Sequence, residues 1–91
     1  MTTRETTVKN KTGLHARPAS TFVQAANGFK SAIKIKNVDK DSPEVNAKSV
    51  IKLLTLSMSQ GTTIRISAEG EDEVAAVDAL IELVDSGFGE L

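Results

Sequence analysis

The residues best suited to chemistry lie in one short segment, TGLHARP at positions 12–18. His15 is the single histidine of the chain, and a neutral imidazole, the form that can act as a nucleophile, is well populated near pH 7. Arg17 follows two residues later, and its planar guanidinium matches the geometry of phosphate oxygens. This pair predicts a site at which a phosphoryl group is accepted by His15 and stabilised by Arg17.

The same segment has the features of a helix start. Pro18 suits the first turn of a helix, where its missing N–H would have no partner, so His15 falls at or next to the N-cap. The backbone N–H groups of Ala16 and Arg17 would then lack intrahelical acceptors and could bind an anion. Such a terminus is worth about 0.3–1 kcal/mol per exposed charge, which is weak enough for the group to be passed on.

Gly13 and Thr12 complete the predicted site. Gly13 permits a tight turn with positive φ, which would let the backbone come close to a phosphate, and Thr12 offers a hydroxyl. The alternative interpretation is structural: a surface histidine is often a solvated side chain or a helix cap. On that interpretation Arg17, Gly13 and Pro18 are ordinary residues of a helix start.

Composition limits the classes of protein that remain. The 91 residues, 40% hydrophobic and 25% charged, predict one globular domain spanning residues 1–91. The absence of cysteine, together with the single histidine, leaves the usual disulfide or metal sites without ligands, so we expect no metal and no cofactor. No apolar run resembles a signal peptide or a span of about 20 residues; we expect a cytoplasmic location without membrane insertion.

Charge is distributed unevenly along the chain. Residues 1–40 carry eight Lys or Arg against two Asp or Glu, and residues 41–91 carry three against ten. The basic half contains His15 and could steer an acidic partner toward it, although acidic residues at 69–73 also suit a helix start. With no Tyr or Trp and three Phe, the chain has little to stack on bases, so we expect no nucleic-acid binding.

Periodicity predicts seven elements in the order β-α-β-β-α-β-α. The strands are predicted at 4–10, around Ile33 and Ile35, at 44–46 and at 64–68, with turn residues at 39–43. The helices run from about Pro18 to Asn27, from a cap at Ser49, and along an apolar stripe to Gly87. That last stripe comprises Val74, Val77, Leu80, Ile81 and Val84. Strands with one apolar face favour an antiparallel sheet covered by helices on one side, an α+β open-faced two-layer β-sandwich.

Four motifs carry a resemblance to a known family. GLHARPA at 13–19, AKS at 47–49, SQGT at 59–62 and SAEGEDE at 67–73 resemble, in order and over nearly the whole chain, the histidine-containing phosphocarrier (HPr) family of the bacterial phosphoenolpyruvate-dependent sugar phosphotransferase system. The resemblance implies a four-stranded antiparallel sheet with strand order 1-4-2-3 and three helices on one face.

The resemblance also implies a function. His15 would be phosphorylated on Nδ1 by enzyme I and would pass the group to IIA domains of sugar permeases, with Arg17 assisting transfer. The protein would be a stoichiometric carrier and not itself an enzyme. The alternative is a regulatory binding module of the same fold that controls a transcription factor or an enzyme. A pure regulator could dispense with His15.

Ser49 in NAKSV matches the regulatory serine of the family, which some bacteria phosphorylate with an ATP-dependent HPr kinase/phosphorylase. Lys52 and Leu54 stand where kinase-regulated members usually have Gly and Met, which weakens this prediction. The structural alternative is an N-cap worth about 1 kcal/mol. The segment between the Ile33–Ile35 strand and Ser49 is about three residues longer than is usual in the family, so we expect a longer hairpin.

The short helix after Ser49 has apolar residues on more than one side. We expect Leu53 to point inward and other apolar residues to form a partner surface near His15, in a monomeric protein. The predicted partner surface consists of Gln24, Val50, Ile51, Lys52 and Leu54. The alternative is that Val50, Leu53 and Leu54 all belong to the core.

Overall fold

The computed structural model describes residues 1–90. The elements are β1 (Thr2–Thr7), α1 (Ala16–Asn27), β2 (Ala32–Asn37), β3 (Val45–Asn46), α2 (Val50–Leu54), β4 (Thr63–Glu69), α3 (Glu73–Asp85) and a final 3₁₀ turn (Gly87–Gly89). The predicted order and the α+β class are confirmed. Within the described range, no helix has the length and apolar character needed to cross a membrane.

The four strands form one antiparallel sheet in the order β1-β4-β2-β3, as the resemblance implies. One face of the sheet is apolar because alternate residues point to the helices. Ile35, Ile64 and Ile66 are completely buried, and Ile33 is nearly so. The other face carries mostly polar side chains, such as exposed Lys34.

The predicted first strand is displaced. We expected it at 4–10, whereas β1 is Thr2–Thr7. Its length is set by β4, since the paired residues run from Thr2 with Ala68 to Thr7 with Thr63. One further bond, from Val8 N to the Thr62 carbonyl oxygen (2.9 Å), leads out of the sheet.

The helices cover the apolar face. Phe22 of α1 and Leu80 of α3 are completely buried. One residue of the predicted α3 stripe is wrong: Val74 is 59% exposed, while Ala76 is completely buried. The buried position in the first turn of α3 is therefore Ala76 and not Val74. Val74 was predicted to be buried only because its side chain is hydrophobic.

Two acidic residues at the start of α3 accept hydrogen bonds from residues at the starts of two strands. The Asp72 carboxylate accepts hydrogen bonds from the Ser31 hydroxyl, from Lys30 N (2.8 Å) and from Ser31 N (3.0 Å). Glu73 accepts a bond from the Thr2 hydroxyl (2.6 Å). The pKa of Asp72 is lowered chiefly by the Ser31 hydroxyl, and that of Glu73 chiefly by the Thr2 hydroxyl. These carboxylates join the starts of β1, β2 and α3.

Candidate functional site

His15 occupies the N-cap of α1. Its backbone is extended, with φ −76° and ψ −169°, and its carbonyl oxygen accepts the first helical bond from Ala19 N (2.8 Å). The residue is exposed, and the imidazole makes no capping bond to the helix. The predicted position of His15 at an accessible helix start is confirmed.

The first turn of α1 presents free donors. Within residues 1–90, the structure gives no hydrogen-bond acceptor to the N–H of Ala16 or of Arg17. Pro18 is the third helical residue and has no N–H to satisfy. His15 and these neighbours line a shallow depression, which we call the Arg17 groove. The Arg17 groove is lined by Thr12, His15, Ala16, Arg17, Pro18 and Glu90.

Gly13 makes the predicted positive-φ turn, at φ 65°. The backbone that it approaches is that of Met58 and Ser59. A Cβ at this position would lie 2.5 Å from the Met58 carbonyl oxygen and 2.8 Å from Ser59 Cα. The next residue, Leu14, donates its N–H to the same Met58 oxygen (2.8 Å). The structure thus shows Gly13 in close approach to the segment before β4. The expected approach to a phosphate is not needed to explain this glycine.

Thr12 is engaged by residues that the sequence did not single out. Its hydroxyl donates to Glu90 Oε1 (2.9 Å), and buried Asn10 donates from Nδ2 to the Gly13 carbonyl oxygen (2.8 Å) and to Thr12 Oγ1 (3.0 Å). Asn10 could have been found from the turn-forming NKTG segment. Glu90 is 78 residues away from Thr12 in sequence, so no local spacing indicates it.

A second depression lies against His15, and we call it the Lys40 groove. It is lined by Leu14, His15, Lys40, Leu54, Ser57, Met58 and Ser59. Lys40 belongs to the long β2–β3 connection, and no motif in the sequence indicates a functional role for it. Leu54 belongs to the predicted partner surface, so this groove connects that surface with His15.

Ser49 is the N-cap of α2, as predicted, because its Oγ accepts a hydrogen bond from Lys52 N (3.3 Å). Its regulatory phosphorylation stays a prediction. Of the predicted partner surface, Gln24 and Lys52 are exposed.

The apolar residues of α2 divide as expected. Leu53 is completely buried, whereas Ile51 is 76% and Leu54 44% exposed. Val50 is half-buried and packs against the core. The interpretation that Leu54 is a core residue is therefore wrong: α2 is too short and too peripheral to bury more than one of its sides.

Comparison with known proteins relates the chain to a family that is named for a phosphorylation site. Residues 2–86 match the family model described as the PTS HPr component phosphorylation site. An HPr-like protein Crh of Halalkalibacterium halodurans is 47% identical over 85 residues, covering 93% of this chain and 98% of the relative.

Two solved structures are also similar. HPr-C-His from Thermoanaerobacter tengcongensis has a TM-score of 0.93 at 48% identity, covering 100% of this chain and 99% of the other. The solution structure of Crh, the catabolite repression HPr of Bacillus subtilis, has a TM-score of 0.63 at 44% identity, covering 91% and 95%. With the exposed N-cap histidine, these matches show that the chain belongs to the HPr family of phosphocarrier proteins of the bacterial phosphotransferase system.

Proposed function

We propose that this protein carries a phosphoryl group on His15, receiving it from phosphorylated enzyme I and delivering it to IIA domains of sugar permeases. The observation that carries the proposal is the exposed imidazole at the N-cap of α1, beside two N–H groups without acceptors in the described chain and beside Arg17. The protein acts stoichiometrically, and its partners supply most of the catalysis.

The transfer step follows from this arrangement. The Nδ1 lone pair of neutral His15 attacks phosphorus, the bond from phosphorus to the donor atom breaks, and its electron pair stays with the donor. The transferred oxygens are negatively charged, and they are stabilised by the N–H groups of Ala16 and Arg17 and by the Arg17 guanidinium. Delivery to the acceptor is the same displacement with the acceptor as nucleophile.

The size of this stabilisation suits a relay. One charge at an exposed helix terminus gains about 0.3–1 kcal/mol, so the phosphorylated form is not trapped. Thr12 is a supporting residue, and its hydroxyl must turn from Glu90 before it can donate to a phosphoryl oxygen.

The partner surface supports docking beside His15. Ile51 and Leu54 are the large apolar side chains of α2 that remain exposed, and Leu54 lines the Lys40 groove together with His15. A partner that covers these side chains would bring its own phosphoryl-bearing group to the imidazole while burying apolar area.

A second candidate is a regulatory module that uses the same surface to control a transcription factor or an enzyme. It is favoured by the likeness to Crh of Bacillus subtilis, which is described as a catabolite repression HPr. Phosphorylation of Ser49 by an HPr kinase/phosphorylase would belong to this role.

The two candidates are separated by incubating the protein with phosphoenolpyruvate, enzyme I and a IIA domain, and measuring the mass of each protein. We expect one acid-labile phosphoryl group on the wild type, none on His15→Ala, and onward transfer to the IIA domain. The His15→Ala variant must retain the circular dichroism spectrum of the wild type. A wild-type protein that gains no phosphoryl group contradicts the carrier function, and an adduct that no IIA domain accepts favours the regulatory module.

A further inference from the structure

The connection between β2 and β3 is held against the end of α2. Lys40 N donates to the side-chain oxygen of Asn37 (3.1 Å). Asn37 is completely buried, and its Nδ2 donates to the Leu56 carbonyl oxygen (2.8 Å). One buried amide therefore joins the turn that carries Lys40 to the segment that follows the partner surface.

The acidic residues beside Lys40 have other partners. Asp39 accepts a hydrogen bond from Thr63 N (3.0 Å), and Asp41 forms an ion pair with Lys36 (3.3 Å). For Lys40 itself, the structure of residues 1–90 records no carboxylate within ion-pair distance. Its charge is thus not neutralised by its neighbours in the turn.

The Lys40 groove contains no acidic residue. Its walls are the apolar side chains of Leu14, Leu54 and Met58 with two serines, and Lys40 and His15 are its only ionisable members. Lys40 is absent from the Arg17 groove, which Ala16 and Arg17 line. Lys40 therefore lies beside the partner surface, whereas Ala16 and Arg17, the residues proposed to bind the phosphoryl group, line the other groove.

We propose that Lys40 is a specificity-determining residue for docking, and that it pairs with an acidic side chain of the phosphoryl donor protein seated over the Lys40 groove. The proposal rests on the carrier function proposed above. A cation in an acid-free, partly apolar groove is complementary to a carboxylate, and charges at the rim of an interface act mainly on association and on its salt dependence. Asn37 holds the backbone of the turn that carries Lys40.

The test is the kinetics of phosphoryl transfer from phosphorylated enzyme I to the wild type, Lys40→Gln and Lys40→Arg. Lys34→Gln is the matched control, since it removes the same charge from an exposed residue on the open face of the sheet. We expect Lys40→Gln to raise KM about two- to fivefold at low salt, the size of an exposed ion pair, with kcat unchanged. The difference should vanish near 1 M salt, where the screening length is about 3 Å.

The variants decide the proposal. Lys40→Arg keeps the charge and should retain the wild-type KM, and Lys34→Gln should change it little. If Lys40→Gln and Lys34→Gln behave alike while the wild type is phosphorylated on His15, the role of Lys40 is overturned and the carrier function stands. A lowered kcat without a change in KM would also overturn it, because Lys40 would then act on the reaction and not on docking. A wild-type protein that accepts no phosphoryl group overturns both.

Discussion

Gly13 and Gly61 both have positive φ, at 65° and 90°, yet their surroundings differ. A Cβ at Gly13 would collide with the backbone of Met58 and Ser59, whereas a Cβ at Gly61 would have no heavy atom within 4 Å. The first glycine therefore fixes where Leu14 and His15 stand relative to the segment before β4. Gly61 is required only by its own positive φ, since no neighbouring atom excludes a Cβ there.

We expect Gly13→Ala to destabilise the protein more than Gly61→Ala does. Both variants meet the cost of a left-handed residue with a Cβ, about 1–2 kcal/mol, and Gly13→Ala adds about 1–3 kcal/mol of overpacking. Urea unfolding measures the two losses, and phosphoryl transfer shows whether Gly13→Ala also displaces His15. Equal losses of stability would mean that the close approach to Met58 has no energetic weight.

At the scale of elements, α2 serves the core with one residue and the surface with the others. Leu53 is completely buried, while Ile51 is 76% exposed, although the two are similar in size and only two positions apart. The helical period of 3.6 residues places neighbouring positions on different sides. The fold positions this helix so that Leu54, an exposed apolar residue, lines a groove together with His15.

Leu53→Ala and Ile51→Ala should therefore have opposite consequences. Leu53→Ala should cost about 2–5 kcal/mol of unfolding free energy, since it leaves a cavity. Ile51→Ala should change stability by no more than about 0.5 kcal/mol but raise KM for transfer from enzyme I about tenfold, because apolar area buried on docking is lost. An Ile51→Ala variant with unchanged KM would remove Ile51 from the partner surface.

At the scale of the whole molecule, Asp72 joins distant parts of the chain. Its carboxylate accepts bonds from the Lys30 and Ser31 backbone, and so connects the start of β2 with the start of α3. The monomeric state expected from the sequence stays a prediction at this scale.

The stabilisation by Asp72 should depend on pH. Its pKa in the folded protein lies below the ordinary value of 3.8, chiefly because the Ser31 hydroxyl donates to the carboxylate. The stabilisation is therefore fully present above pH 3.8 and is lost as the pH falls through the lowered pKa. Asp72→Asn should unfold at lower denaturant concentration than the wild type at pH 7, and the difference should shrink in acid.

Glu71→Gln, at an exposed neighbouring position, is the matched control. It should change the free energy of unfolding at pH 7 little. If Asp72→Asn were as stable as the wild type at pH 7, the bonds from Lys30 and Ser31 would contribute nothing measurable to the fold.

The order of elements and the place of His15 could be predicted because each depends on local features, whereas the strand order of the sheet came only from the resemblance to the HPr family. Alternation around Ile33 and Ile35 marks a strand, and the GLHARP motif marks both a helix start and a family. The bounds of β1 and the exposure of Val74 could not be predicted, since pairing with β4 and packing under α3 decide them.

By itself the sequence determined that the single histidine stands at or next to a helix N-cap with a guanidinium two residues away, because capping and first-turn geometry extend over only a few residues. Tertiary structure alone decided that Glu90 reaches Thr12 and that Asn37 holds the Lys40 turn against the end of α2. It also decided that Lys40 lines a groove with His15. These contacts join residues far apart in the chain, and only packing of the helices on the sheet brings them together.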